Sequence, residues 1–167
     1  MDKPERPELA PESIWRDPWQ FIAFGFGSGA MRKAPGTWGT LVGLAFVPLL
    51  QLLPDWGYAL IVLLASLFGC WLCGKVSRDL GVHDHGGIVW DEIVGIWITC
   101  WLAPPGWLWL LAGFGLFRLL DILKPWPISW VDRHVHGGTG IMLDDLLAGI
   151  GAFLLLQGLV WLVWLVG

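Results

Sequence analysis

Four carboxylates in two adjacent pairs are the residues of this sequence best suited to chemistry. Asp91 and Glu92 form one pair, Asp144 and Asp145 form the other, and an apolar run follows each pair. Carboxylate oxygens are hard ligands that suit Mg²⁺, which often bridges such residues to a substrate phosphate. The pairs therefore predict a Mg²⁺ site, although acids that merely begin helices would also be favoured by the helix dipole.

A cation-bearing segment lies at the end of another apolar run. Arg118, Asp121 and Lys124 are spaced three residues apart, so they lie close together on a helix. Arginine can hold a phosphate with two parallel hydrogen bonds, but cations are also favoured at the C-terminus of a helix. The spacing alone fits both a phosphate-binding surface and a structural salt bridge.

A Gly/Thr turn at the start of the first long apolar run is another candidate phosphate site. Arg32 and Lys33 stand just before residues 35–40, PGTWGT, which include Thr37. Free backbone N–H groups at the start of a helix can bind anions, so Lys33 and Thr37 are candidate ligands. The turn lacks the GxxxxGK[ST] order and is not a P-loop.

Two His-x-His pairs stand ahead of the acidic pairs, His83 with His85 and His134 with His136. Such pairs could bind zinc, but no nearby cysteine completes a tetrahedral ligand set. Ordinary polar loop residues are the simpler interpretation. His85 and His136 are the best candidates for a general acid or for phosphate binding.

Composition places these groups in a membrane protein. Apolar residues make up 56% of the 167 residues and charged residues only 14%, against roughly 25% in soluble domains. The net charge of −4 argues against nucleic-acid binding, and the cysteines, all within apolar runs, indicate no disulfide framework. Breaker residues separate five apolar runs, which predict an all-α, polytopic membrane protein with short membrane helices at residues 37–53, 58–74, 88–103, 107–123 and 141–166.

The distribution of basic residues predicts the topology. In a five-helix arrangement all ten Lys and Arg residues fall on one side, so the N-terminus is expected in the cytoplasm. The same alternation brings both acidic pairs and residues 118–124 to the cytoplasmic side, where we expect the active site. Gly95, Ala148 and Gly149 would let the two acid-bearing helices approach closely.

The N-terminal region has a different character from the rest. Residues 1–13 are charged and rich in proline, and we predict a mobile tail there. Residues 14–26 are aromatic but interrupted by Pro18, which favours a segment lying in the membrane interface. From residue 14 to residue 167 we predict a single helical membrane domain.

Several longer motifs carry a family resemblance across most of residues 25–150. They are GFGSG (25–29), APGTWGT (34–40), GVHDHGGIVWDEIVGIWIT (81–99), FRLLDILKPWPI (117–128) and HGGTGIMLDDLLAGI (136–150). With these motifs the chain resembles the bacterial phosphatidylglycerophosphatase A family, and the acidic and basic positions show no departure from the family pattern.

The resemblance implies a Mg²⁺-dependent lipid phosphatase of the bacterial inner membrane that converts phosphatidylglycerophosphate to phosphatidylglycerol and phosphate. The expected metal ligands are Asp91, Glu92, Asp144 and Asp145. Together with these four, the expected catalytic residues are Arg118 and Asp121. Phosphate binding is expected from Lys33, Thr37, His85, Arg118, Lys124 and His136. Direct attack by water and prior phosphorylation of an aspartate both remain open.

Two other functions fit part of the pattern. CDP-alcohol phosphotransferases also combine membrane aspartates with a divalent metal, but their DGxxAR-type run differs from DDLLAG at residues 144–149. A small cation carrier could use the acidic cluster as its ion site. A carrier predicts polar residues along the whole path, whereas the outer halves of these helices are almost purely apolar. The carrier is therefore kept as the alternative to the phosphatase.

Overall fold

A computed structural model describes residues 11–82 and 85–166, and all regular structure in these ranges is helical. The α-helices are α1 (Pro18–Ala23), α2 (Pro35–Leu50), α3 (Asp55–Leu80), α4 (Trp90–Cys100), α5 (Trp107–Leu123), α6 (Ile128–His134) and α7 (Gly137–Val166). Single 3₁₀ turns precede α1 and α2. The predicted all-helical class is confirmed. Residues 1–10 of the predicted tail, and His83, lie outside the described residues.

Several helix boundaries differ from the prediction. Helix α3 continues to Leu80, so Lys75 and Arg78 are helical rather than part of a loop. The helix ends where Gly81 adopts φ +67°, a left-handed conformation that suits glycine. Helix α4 starts later and ends earlier than predicted, and α6 was not predicted at all. Within the described part of the chain two helices, α3 and α7, are long and apolar enough to cross a membrane.

Helix α4 forms the centre of the bundle and contacts α2, α3, α5 and α7. Interhelical hydrogen bonds fix its position. The Trp97 indole N–H donates to the Gly43 carbonyl at 2.9 Å, and the Tyr58 hydroxyl donates to the Trp97 carbonyl at 2.8 Å. The Thr99 hydroxyl lies 3.3 Å from the Gly149 carbonyl. Such bonds favour helix association where the surroundings are apolar.

Helices α4 and α7 approach each other closely at two glycines. A Cβ atom added to Gly149 would lie 2.6 Å from the Gly95 carbonyl oxygen, and one added to Gly95 would lie 3.1 Å from the Asp145 carbonyl oxygen. The predicted close approach at Gly95 and Gly149 is thus confirmed. It brings the α7 segment that carries Asp144 and Asp145 against the first turns of α4.

The two ends of the bundle differ in chemistry. We call the end at which α3 and α5 finish and α4 and α7 begin the polar end, because most ionisable side chains of the described residues lie there. The opposite end, the far end, holds the α2–α3 and α4–α5 connections. There Gln51 donates to the Ala103 carbonyl at 3.2 Å, and Gln157 donates to the Trp101 carbonyl at 3.3 Å.

Candidate functional site

Three carboxylates meet at the polar end. Asp91 and Glu92 lie in the first turn of α4, and Asp145 reaches them from α7. One carboxylate oxygen from each residue lies within 4.8 Å of the other two. Like charges this close disfavour one another, and a bound cation removes the repulsion. The arrangement is therefore suited to holding a metal ion.

The surroundings of these oxygens support that interpretation. Glu92 Oε2 and Asp145 Oδ2 are buried, and neither accepts a hydrogen bond from the described residues. A buried carboxylate oxygen without a hydrogen-bond partner is costly. Such oxygens in a group of three neighbouring carboxylates point to a bound ligand. The donors are all hard oxygens, which fits Mg²⁺. Asp121, the ion-pair partner of Arg118, brings a further carboxylate to the edge of the group.

Asp144 is engaged differently from its neighbour. Its Oδ2 accepts a hydrogen bond of 2.7 Å from Lys124 Nζ, which also donates to Asp132 on α6. Successive residues on a helix point about 100° apart, so only one of Asp144 and Asp145 faces the other two carboxylates. The structure thus brings together three of the four expected metal ligands and pairs the fourth with a lysine.

Lys124 joins three elements at the end of α5. Burial lowers the pKa of its ammonium group, but hydrogen bonds to Asp132 and Asp144 outweigh this and raise the pKa above its ordinary value. The side chain is therefore positively charged throughout the physiological range. Sequence reasoning missed Asp132, because nothing in the spacing across the proline-rich turn shows that it returns to Lys124.

Arg118 lies beside the carboxylates. It forms an ion pair with Asp121 on its own helix, while its buried Nε has no hydrogen-bond partner among the described residues. A Cβ atom added to Gly36 would lie 2.1 Å from Glu92 Oε1 and 3.2 Å from Arg118 Nη1. The first turn of α2 therefore reaches the site through its backbone, and a side chain at Gly36 would fill space beside both groups.

The other predicted phosphate ligands are Lys33, Thr37, His85 and His136. Thr37 is half-buried, one residue beyond Gly36, and Lys33 is exposed, without an ion pair in the part of the chain described. His85 is buried against the Phe24 ring, and its Nδ1 accepts a hydrogen bond from the Gly87 N–H at 3.0 Å. His85 thus supports the loop that leads into α4.

His136 is exposed and lies just before α7. Its Nδ1 is 3.2 Å from the His134 carbonyl oxygen. His134 in turn stacks on Trp130, with ring centroids 4.7 Å apart. The roles of His85 and His136 in phosphate binding stay predictions.

Comparison with known proteins gives a consistent result. A family model described as phosphatidylglycerophosphatase A matches residues 21–160. The chain is 51% identical over 135 residues to phosphatidylglycerophosphatase A of Escherichia coli strain K12, covering 80% of this chain and 78% of that protein. It is 50% identical over 138 residues to phosphatidylglycerophosphatase A of Haemophilus influenzae, covering 81% and 85%.

A third relative carries a different name. It is a protein of Bacteroides thetaiotaomicron, provisionally named a phosphatidylinositol-3-phosphatase, and it is 37% identical over 150 residues, or 85% of this chain and 93% of the relative. No solved structure matches the chain.

Proposed function

Because the chain belongs to the phosphatidylglycerophosphatase A family, we propose that it hydrolyses phosphatidylglycerophosphate to phosphatidylglycerol and phosphate. The observation that supports this chemistry is the proximity of Asp91, Glu92 and Asp145 beside Arg118. Carboxylates that can hold a metal and a cation that can hold a phosphate both favour phosphate monoester hydrolysis, because each stabilises the charge of the phosphoryl group. The names of the relatives do not favour the cation carrier.

We propose Asp91, Glu92 and Asp145 as the residues that hold Mg²⁺. When bound there, Mg²⁺ supplies charge that neutralises phosphate oxygens and lowers the pKa of water. The buried, unpartnered oxygens of Glu92 and Asp145 are suited to this task. Asp144 contributes in another way, because it holds Lys124 in place.

The remaining groups of the site act on the phosphate. Arg118 presents its guanidinium next to Glu92, where two parallel N–H groups can bind two phosphate oxygens. Asp121 orients that guanidinium through their ion pair. Gly36 keeps the space beside both residues open. A preorganised cation of this kind stabilises the charge on the transferring phosphoryl group more than it stabilises the bound substrate.

We further propose that α2, α3, α4, α5 and α7 lie within the bacterial inner membrane, with the polar end and the N-terminus on the cytoplasmic side. The two long apolar helices and the one-sided distribution of basic residues support this topology. Helix α4, with 11 residues, rises only about 16 Å, against roughly 30 Å of hydrocarbon. It is therefore a half-length element enclosed by longer helices.

Tags test the topology. A tag at the N-terminus should be accessible only from the cytoplasm, and a tag after Val166 only from outside. A C-terminal tag that is protected from external protease would contradict the alternation of sides.

Phosphate release tests the function. Purified protein in detergent micelles should release phosphate from phosphatidylglycerophosphate, lose about 100-fold or more of that rate on treatment with a chelator, and recover it with Mg²⁺. Undiminished release after chelation would exclude the metal assignment. An absence of release, combined with cation uptake by proteoliposomes, would favour the carrier.

A further inference from the structure

Bulky apolar side chains cover the surface of the polar end next to the site. They lie at the end of α5, in the turn that follows it and along α6, and they include two indoles with exposed fractions of 81% for Trp126 and 53% for Trp130. Leu123 is also exposed, directly before Lys124. Exposed apolar groups concentrated beside charged residues mark surfaces that meet a partner or a membrane.

This segment is held in a defined position. Ile128 is buried at the start of α6 and anchors the helix on the bundle. The Lys124 ammonium group bonds both Asp132 on α6 and Asp144 on α7. Trp130 is covered on one face by the His134 ring. The two indoles therefore project from a fixed support, which lowers the entropic cost of binding.

The composition of the segment favours a lipid surface as the partner. Tryptophan is enriched at membrane–water interfaces, where its ring spans apolar and polar surroundings. Arg133 and His134 end the same short helix, as expected for a helix that lies at the level of phospholipid headgroups. The apolar surface is also continuous along the chain with Lys124, one of the phosphate ligands expected from the sequence.

We propose that Leu123, Trp126 and Trp130 form a docking surface for the cytoplasmic leaflet, through which the lipid substrate presents its headgroup to Arg118 and Lys124. The inference rests on the proposed function, since it assigns the side of the molecule from which the substrate enters. The acyl chains stay in the leaflet against this surface, and the phosphate monoester reaches Lys124, which directly follows Leu123 in the chain.

A pair of substrates in one preparation tests the proposal. Proteoliposomes of phosphatidylethanolamine and phosphatidylcholine would receive either long-chain phosphatidylglycerophosphate within the bilayer or a short-chain, water-soluble form. In Trp126→Ala/Trp130→Ala the ratio of the long-chain rate to the short-chain rate should fall about tenfold. Both substrates are added from outside to one batch of vesicles, the long-chain form into the outer leaflet, so that outward-facing protein accounts for both rates.

Matched variants separate docking from folding. Trp161→Ala/Trp164→Ala removes two similarly exposed indoles at the end of α7 and should leave the ratio unchanged. Trp126→Phe/Trp130→Phe keeps apolar rings, so its ratio of the long-chain rate to the short-chain rate should be close to that of the wild type. If both rates of Trp126→Ala/Trp130→Ala fall by the same factor, the two residues have a structural role and the proposal is overturned. Wild-type rates on both substrates would also overturn it.

Two further results have distinct meanings. If the defect disappears when the protein-to-lipid ratio is lowered, the surface is covered by a second copy of the chain, and the leaflet is excluded as its partner. If the wild-type protein releases phosphate from neither substrate, the proposed function fails, independently of docking.

Discussion

At the far end of the bundle, side-chain N–H groups donate hydrogen bonds to backbone carbonyls. At the polar end, by contrast, there are buried carboxylate oxygens that have no hydrogen-bond donor among the described residues. At the far end Gln51, Gln157 and Trp101 each donate to a carbonyl of another segment, at 3.2 to 3.3 Å. At the polar end Glu92 Oε2 and Asp145 Oδ2 accept no hydrogen bond from residues 11–82 and 85–166.

This difference separates groups that close the fold from groups that serve a ligand. Neutral amide-to-carbonyl bonds satisfy both partners and join loops without leaving charge behind. Unpaired carboxylates within an apolar bundle are costly, and such residues in membrane proteins usually mark a functional site. We therefore expect substitutions at the polar end to change catalysis and substitutions at the far end to change stability.

The largest effect is expected from the three clustered carboxylates. Asp145→Asn and Glu92→Gln should each lower kcat for phosphate release on the order of 100-fold or more, because each removes a charged oxygen ligand while preserving shape. Kinetics at saturating Mg²⁺, with Mg²⁺ affinity from calorimetry, would measure this loss.

Asp79→Asn is the matched control for these variants. Asp79 pairs with Lys75 on the exposed surface of α3, and a surface pair contributes little to stability. Its activity should equal that of the wild type. Wild-type turnover in both Asp145→Asn and Glu92→Gln would instead mean that these acids do not hold the metal.

A smaller effect is expected where the backbone of α2 meets the site. In Gly36→Ala the new methyl group would lie 2.1 Å from Glu92 Oε1, so the carboxylate must move. Displacement of a catalytic group by about 1 Å can cost up to 100-fold, and we expect roughly tenfold in kcat/KM.

Gly115→Ala provides the comparison, because a Cβ atom there meets nothing within 4 Å. It should keep full activity and gain roughly 0.5–1 kcal/mol in stability, since alanine favours the helix. Equal activity in the two alanine variants would show that Gly36 does not border the site.

The sequence could predict which groups share an end of the molecule, because alternating helices leave little choice. Asp91 lies in the first turn of α4, whereas Asp145 lies about two turns into α7, which begins at Gly137 rather than at the predicted residue 141. Both helices follow connections on the same side, so the element order alone brings these acids to one end. Gly95 and Gly149 also predicted where α4 and α7 touch. The whole helical class followed from apolar runs separated by prolines and glycines.

Rotation of a helix about its axis could not be predicted in this way. Asp144 and Asp145 are adjacent in sequence, and only the packing of α7 on α4 turns Asp145 inward and leaves Asp144 to Lys124. Helix α6 escaped prediction because seven residues between a proline-rich turn and a glycine show no helical periodicity. Its Asp132 was missed for the same reason.

The smallest effect is expected at the far end. Gln157→Leu removes the bond of 3.3 Å to the Trp101 carbonyl and should lower stability by about 0.6 kcal/mol, the typical value of an interhelical hydrogen bond in a membrane protein. Thermal unfolding in detergent would measure it, and kcat should not change. Gly158→Ala, next along α7 and with nothing within 4 Å of the added Cβ, should show no loss of stability. The hydrogen bond of Gln157 lies several turns of α7 beyond the site and involves none of the site residues. A drop in kcat for Gln157→Leu without a matching loss of stability would therefore mean that the two ends of the bundle are coupled.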